Sequence, residues 1–217
     1  MTRLMEIGIS SIEGTVMEMG GLGEKSVRTA VELYMKGAGS KKRIFEWSKK
    51  LQILRDEVGD LSVELIARYQ PVATDLRLIR SCMEVSYGFS RFGRYSYDIA
   101  DLIETLGPIS NCDKSAVFEM SNMVVNMIQL GLESLRIQDQ AAVKTLYQME
   151  GTVDTIYRRY VNALISMPIG EVKGHGQARC HIAGLLVLRY LERIADHACY
   201  IGDCTYYIVT GESSPRR

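Results

Sequence analysis

Between Glu46 and Tyr69 the chain reads EWSKKLQILRDEVGDLSVELIARY, and Leu51, Leu54, Val58, Leu61 and Leu65 recur every three or four residues. That spacing lays an apolar stripe along one side of a helix and leaves the charged residues on the others. The same period runs through most of the sequence, and no segment alternates apolar and polar residues as a half-buried strand would. Turn signals interrupt it at KGAGSKK (36–42), Pro71, Pro108, RIQDQ (136–140) and Pro168, with Pro215 in the tail. Proline lacks a backbone N–H and clashes with the preceding helical turn, so it marks a boundary. The pattern predicts six long helices at 8–36, 41–69, 72–106, 112–136, 139–166 and 176–209. Short connections between long amphipathic helices favour antiparallel bundles. The expected fold class is all-α.

The two halves resemble each other. VMEM at 16–19 matches VFEM at 117–120, and Glu32 falls on Glu133 at the same shift. One further residue of shift aligns Leu51 with Val153, Leu54 with Ile156, and SRFGRYSYDIAD (90–101) with ERIADHACYIGD (192–203). Within that last pair of segments Arg91/Arg193, Ile99/Ile201 and Asp101/Asp203 are identical. A repeat of this length predicts two three-helix units, residues 1–107 and 108–217.

Composition narrows the partners. The chain has 217 residues, 47% of them hydrophobic, enough for one sizeable core. With 26 basic and 26 acidic residues it carries no net field to draw nucleic acid or an anionic membrane. The start, MTRLMEIGIS, lacks the apolar core and cleavage site of a signal peptide, and no apolar run is long enough to span a bilayer, so a cytoplasmic protein is expected. Five scattered cysteines (82, 112, 180, 199 and 204) with no CxxC pair fit reduced thiols better than disulfides or a zinc site.

The candidate chemistry lies in carboxylates. On the last helix Leu188, Leu191, Ala195, Ala198 and Gly202 form the core stripe, extended by Gly184, and Glu192, Asp196 and Asp203 lie together beside it. An acidic stripe beside a core is ordinarily solvated, and Arg189 and Arg193 are spaced to pair with Glu192 and Asp196. A second ExxxD, Glu150 and Asp154, sits on the preceding helix, one loop away. Two adjacent antiparallel helices then bring four carboxylates together, which requires protonation, arginine partners such as Arg158, or a bound multivalent cation. Oxygen donors suit iron, manganese, magnesium or calcium. The repeat equivalents in the first half are Ser48, Gln52, Ser90 and Arg94, so a metal site is expected in the second half and none in the first.

Other candidates are weaker. Helix geometry points His197 away from the Glu192 stripe, toward a supporting or surface role, and His175 and His181 read as a loop running into a helix. No ExxH motif supports a ferritin-like di-iron centre, and MGGLG (19–23) lacks the strand and the lysine of a phosphate-cradling loop. The eleven methionines fit a core better than a soft-metal site.

RYQPVATDLRLIR (68–80), LERIADHACYIG (191–202) and YYIVTGE (206–212) together give the chain a resemblance to the PhoU family over essentially its full length. The resemblance implies paired three-helix bundles with metal clusters held by ExxxD-type motifs. It places metal ligands at Glu150, Asp154, Glu192 and Asp196, for divalent or trivalent ions with iron among the candidates, while Ser48, Gln52, Ser90 and Arg94 depart from the pattern. It further implies a non-enzymatic regulator of phosphate homeostasis that restrains high-affinity phosphate uptake and starvation signalling. The implied partners are a phosphate transporter's ATPase subunit and a sensor histidine kinase at the inner face of the membrane, with no nucleic acid, and the exposed bundle faces leave room for a homodimer. Two alternatives stand beside it: a metal-dependent hydrolase or metal-handling protein, and an adaptor to a different transporter or channel.

Overall fold

A computed structural model describes residues 3–107, 109, 111–168 and 174–214; the boundaries expected at Pro108 and Pro215 lie outside them. The described residues form six helices and no strand: α1 (Arg3–Lys36), α2 (Lys41–Tyr69), α3 (Ala73–Leu106), α4 (Ser115–Ile137), α5 (Ala142–Ile165) and α6 (Gly174–Thr210). The all-α, six-helix expectation holds, with shifts at the ends. α1 begins five residues before the expected position 8, because Met5 and Ile9 already belong to its buried face. α4 begins three residues after the expected position 112, where the Asp113 carboxylate accepts the Ser115 backbone N–H at 2.9 Å. Ser40 similarly caps α2, its hydroxyl accepting the Arg43 N–H at 3.3 Å.

Among the described residues the three helices of each half all touch one another, and α1 with α4 and α3 with α6 are the helix pairs that join the halves. Repeat-related helices therefore pack on each other, as in a two-fold dimer, and α2 and α5 remain outside. A methyl group on Gly20 of α1 would overlap the Leu132 side chain of α4, so glycine permits that approach. One continuous core crosses both junctions, from Met19, Phe89 and Phe92 to Met120, Leu191 and Ile201. Aligned repeat positions share their burial: Met19 with Met120, Leu51 with Val153, and Phe92 with Ile194 are all fully buried.

One expectation fails. Cys112 and Cys180 form a disulfide, with Cα atoms 5.2 Å apart, that ties the segment before α4 to the first turns of α6. Their separation of 68 residues gave no spacing signal, because the fold rather than a local motif brings them together. The remaining thiols, Cys82, Cys199 and Cys204, are free and buried, and burial pushes Cys82 and Cys199 up to about 12.

Candidate functional site

α5 lies along the small-residue stripe of α6. A methyl on Gly202 would meet the Leu146 side chain at 2.6 Å, and one on Gly184 would overlap the Tyr160 hydroxyl. With Leu146, Val153 and Ile156 of α5 and Leu188, Leu191 and Ala195 of α6 turned into the core, the neighbouring helical positions bring the two ExxxD pairs to the rim of this contact. Glu150, Asp154 and Glu192 are half-buried there, and Asp196 is exposed.

Three of these carboxylates share one electrostatic neighbourhood. Burial raises the Glu192 carboxyl above the usual carboxylate range, and Asp196 and Asp154 add to the rise while Arg189 opposes it. Asp196, although exposed as a residue, is raised too, first by the partial desolvation of its carboxyl against α5 and then by Asp154, with Arg189 and Arg193 opposing. The arginines offset this repulsion only in part. Arg189 donates to both Glu192 oxygens at 2.6 Å, and Arg158 donates to Asp154 at 3.2 Å.

The expected ion pair between Arg193 and Asp196 does not form. The Arg193 guanidinium instead lies 5.8 Å from the centre of the Tyr95 ring on α3. His197, expected at the surface or behind the carboxylates, packs between the halves, its ring 6.1 Å from those of Tyr87 and Tyr95. Which residues of α3 face α6 depends on the crossing of two distant helices, which local periodicity does not encode. His175 and His181 both lie in the opening turns of α6, which begins at Gly174, so the loop expected at His175 is already helix.

As a donor set the four residues suit a hard cation, since all are carboxylates and the negative charge at Glu192 and Asp196 is only partly offset by the arginines. As placed, they do not converge as a finished chelate. Among the described residues no three His, Cys, Asp or Glu side chains are arranged to hold an ion, and Arg189 and Arg158 occupy two of the carboxylates. An ion would bind by displacing those guanidinium groups.

The first half is built differently at the equivalent place. Ser48 and Ser90 are buried, the Ser90 hydroxyl donating to the Tyr87 carbonyl at 2.7 Å, and Gly93 lets α2 and α3 close directly on each other. The carboxylates nearby are paired within the chain, Asp98 with Arg94 at 3.0 Å, and both Asp101 and Glu104 with Lys41. A further polar cluster lay beyond the reach of sequence reasoning: Asp203, on the acidic stripe of α6, accepts from Tyr147 of α5 and from Ser214 of the tail.

A family model described as "PhoU domain" matches residues 16–103 and again 117–205. The phosphate-specific transport system accessory protein PhoU homolog of Clostridium acetobutylicum is 28% identical over 98% of this chain and 97% of its own length. The protein described likewise from Synechocystis sp. is 29% identical over 95% of this chain and 92% of its own. The crystal structure of PhoU from Pseudomonas aeruginosa superposes with a TM-score of 0.84 at 26% identity, covering 95% of this chain and 99% of that one. The structure of the phosphate transport system regulatory protein PhoU from Streptococcus pneumoniae shares the fold, with a TM-score of 0.86 at 17% identity over 98% of this chain and all of that one. With two copies of the family domain spanning most of its length, the chain belongs to the PhoU family.

Proposed function

We propose that this protein is a cytoplasmic regulatory adaptor that restrains phosphate uptake and starvation signalling, working at the inner face of the membrane. The observation that carries it is the match of the family domain to both repeats, together with near full-length likeness to accessory proteins of phosphate-specific transport. Its partners on this reading are the transporter's ATPase subunit and a sensor histidine kinase, and it catalyses no reaction of its own. No helix among the described residues is long and apolar enough to cross a membrane, so attachment would run through those partners.

Glu150, Asp154, Glu192 and Asp196 would hold one or more divalent or trivalent ions, iron among them, in the second half alone. The support is their donor chemistry and the mutual repulsion of Asp154, Glu192 and Asp196. A bound ion would tie α5 to α6 and fix the surface offered to a partner. The test is a deletion strain: phosphate uptake and starvation-gene expression should both rise at ample phosphate, and unchanged levels of both would remove the assignment. Co-purification from native membranes should return the ATPase subunit and the kinase. Recovery of another transporter instead would favour the second reading, an adaptor to a different system. That reading is encouraged by the close packing of Ser48 against Gly93, where the first half has no carboxylate.

A further inference from the structure

The two halves meet on α3 and α6 in a cluster that obeys the repeat. Tyr95 and His197 occupy equivalent positions, and they stack on each other with ring centres 6.1 Å apart. Tyr95 also stacks on Tyr190; the equivalent contact sets His197 against Gly88, whose added methyl would lie 3.9 Å from Nδ1. Arg91 and Arg193 are equivalent as well, and both reach the same ring, their guanidinium carbons 4.8 and 5.8 Å from the Tyr95 centre. Arg91 donates to the Tyr95 hydroxyl at 2.9 Å.

Two guanidinium groups are thus gathered on one aromatic platform without a counter-ion of their own. Neither lies within ion-pair distance of a carboxylate among the described residues. Asp98, the acid on α3 whose charge acts on Arg91, is held by Arg94 at 3.0 Å, and Asp196, which feels Arg193, stays beyond 4 Å from it. The cluster is also open to solvent. Arg193 is exposed, Arg91 half-buried, and Tyr87 is 50% exposed with its ring edge against His197.

We infer that Arg91 and Arg193, backed by Tyr95 and His197 at the junction of the halves, form a binding site for a small phosphoryl oxyanion. Guanidinium forks match the paired oxygens of such a group, and here two of them lie within about 6 Å of one ring centre. His197 fits the same role. Its ring lies against Tyr87 and Tyr95 of α3 and backs the platform that the two guanidinium groups share. Because the site spans α3 and α6, its occupancy bears on how the two halves sit together. It is separate from the carboxylates between α5 and α6.

The test is calorimetric titration of the full-length, chelator-treated protein with inorganic phosphate and, in parallel, with adenosine monophosphate. Saturable binding is expected, weakened at least about tenfold in Arg193→Gln, an exposed position that should not disturb folding. Arg193→Lys should weaken it less, since the charge stays while the fork is lost. Glu192→Gln with Asp196→Asn, which removes negative charge near Arg193, should not weaken it. Equal affinity for the two ligands would assign the site to the phosphoryl group alone, and tighter nucleotide binding would seat the base on Tyr87. Wild-type affinity in Arg193→Gln, or no saturation by either ligand below about 10 mM, would overturn the inference.

Discussion

Gly93 of α3 lies so close to Ser48 of α2 that a methyl group on it would come within 3.0 Å of the Ser48 Cα and 2.7 Å of the Leu51 side chain. The repeat places Ala195 and Glu150 at these positions in the second half. The first half has thus exchanged a carboxylate-bearing rim for a direct helix-to-helix contact. Gly93→Ala should therefore destabilise the protein by about 1–3 kcal/mol despite alanine's better helix propensity, because a backbone atom cannot move aside. A thermal melt checks it: Tm should drop by several degrees, at about 2–4 °C per kcal/mol for a chain of this size. An unchanged or raised Tm would show that α2 and α3 have room to part.

The second half should behave in the opposite way toward cations. Elemental analysis of native protein should find bound metal that disappears when Glu192→Ala is combined with Asp196→Ala. Added ion should raise the Tm of the chelator-treated wild type and leave the double variant unmoved. Binding should weaken as pH falls, since the ligating carboxylates must be ionised. Equal metal content in wild type and double variant would sink the assignment.

The acid response of the metal-free protein follows from the same carboxylates. Burial and neighbouring acids raise Glu192 and Asp196 in the folded chain, whereas unfolding returns them to ordinary values of 4.5 and 3.8. Between the ordinary and the raised value the folded state binds more protons than the unfolded state. Their contribution to stability therefore falls as pH rises through that window, and recovers on acidification. Glu133, lowered by its bond from Arg136, acts in the reverse sense, so the overall profile mixes both. A difference profile isolates the site. Asp196→Asn should be more stable than wild type at neutral pH, with the gap closing toward about pH 4. A variant less stable than wild type at neutral pH would mean that Arg189 and Arg193 outweigh burial and Asp154.

Helix number and the repeat were legible because each depends on local spacing, as was the placement of the two ExxxD pairs on neighbouring helices. Leu51 and Val153, aligned only by shifting the chain on itself, are both fully buried. What escaped depended on contacts between distant helices. His197 lies on the face expected from helix geometry, away from Glu192, but that face turned out to be the junction with Tyr87 and Tyr95. Arg193 likewise exchanged the nearby Asp196 for a ring on α3, because a cation–π contact with a buried tyrosine competes well with a solvent-screened ion pair.

The disulfide between Cys112 and Cys180 is the sharpest departure, and it can be counted directly. Protein unfolded without reductant should expose three titratable thiols, those of Cys82, Cys199 and Cys204, and after reduction five. In the folded state burial shields these three from thiol reagents, so little labelling is expected before denaturation. Closing a loop of 68 residues restricts the unfolded chain by about 4 kcal/mol on the chain-entropy estimate. Reduction, or Cys112→Ser with Cys180→Ser, should accordingly lower Tm without altering the helical content of the native state. The loss should begin at the start of α6, where the bond holds the first turns against the segment leading into α4. Hydrogen exchange would then quicken at 174–182 before it changes in the α3 and α6 junction. Five reactive thiols in unreduced, unfolded protein would show that the bond does not form and that the chain keeps all its cysteines reduced.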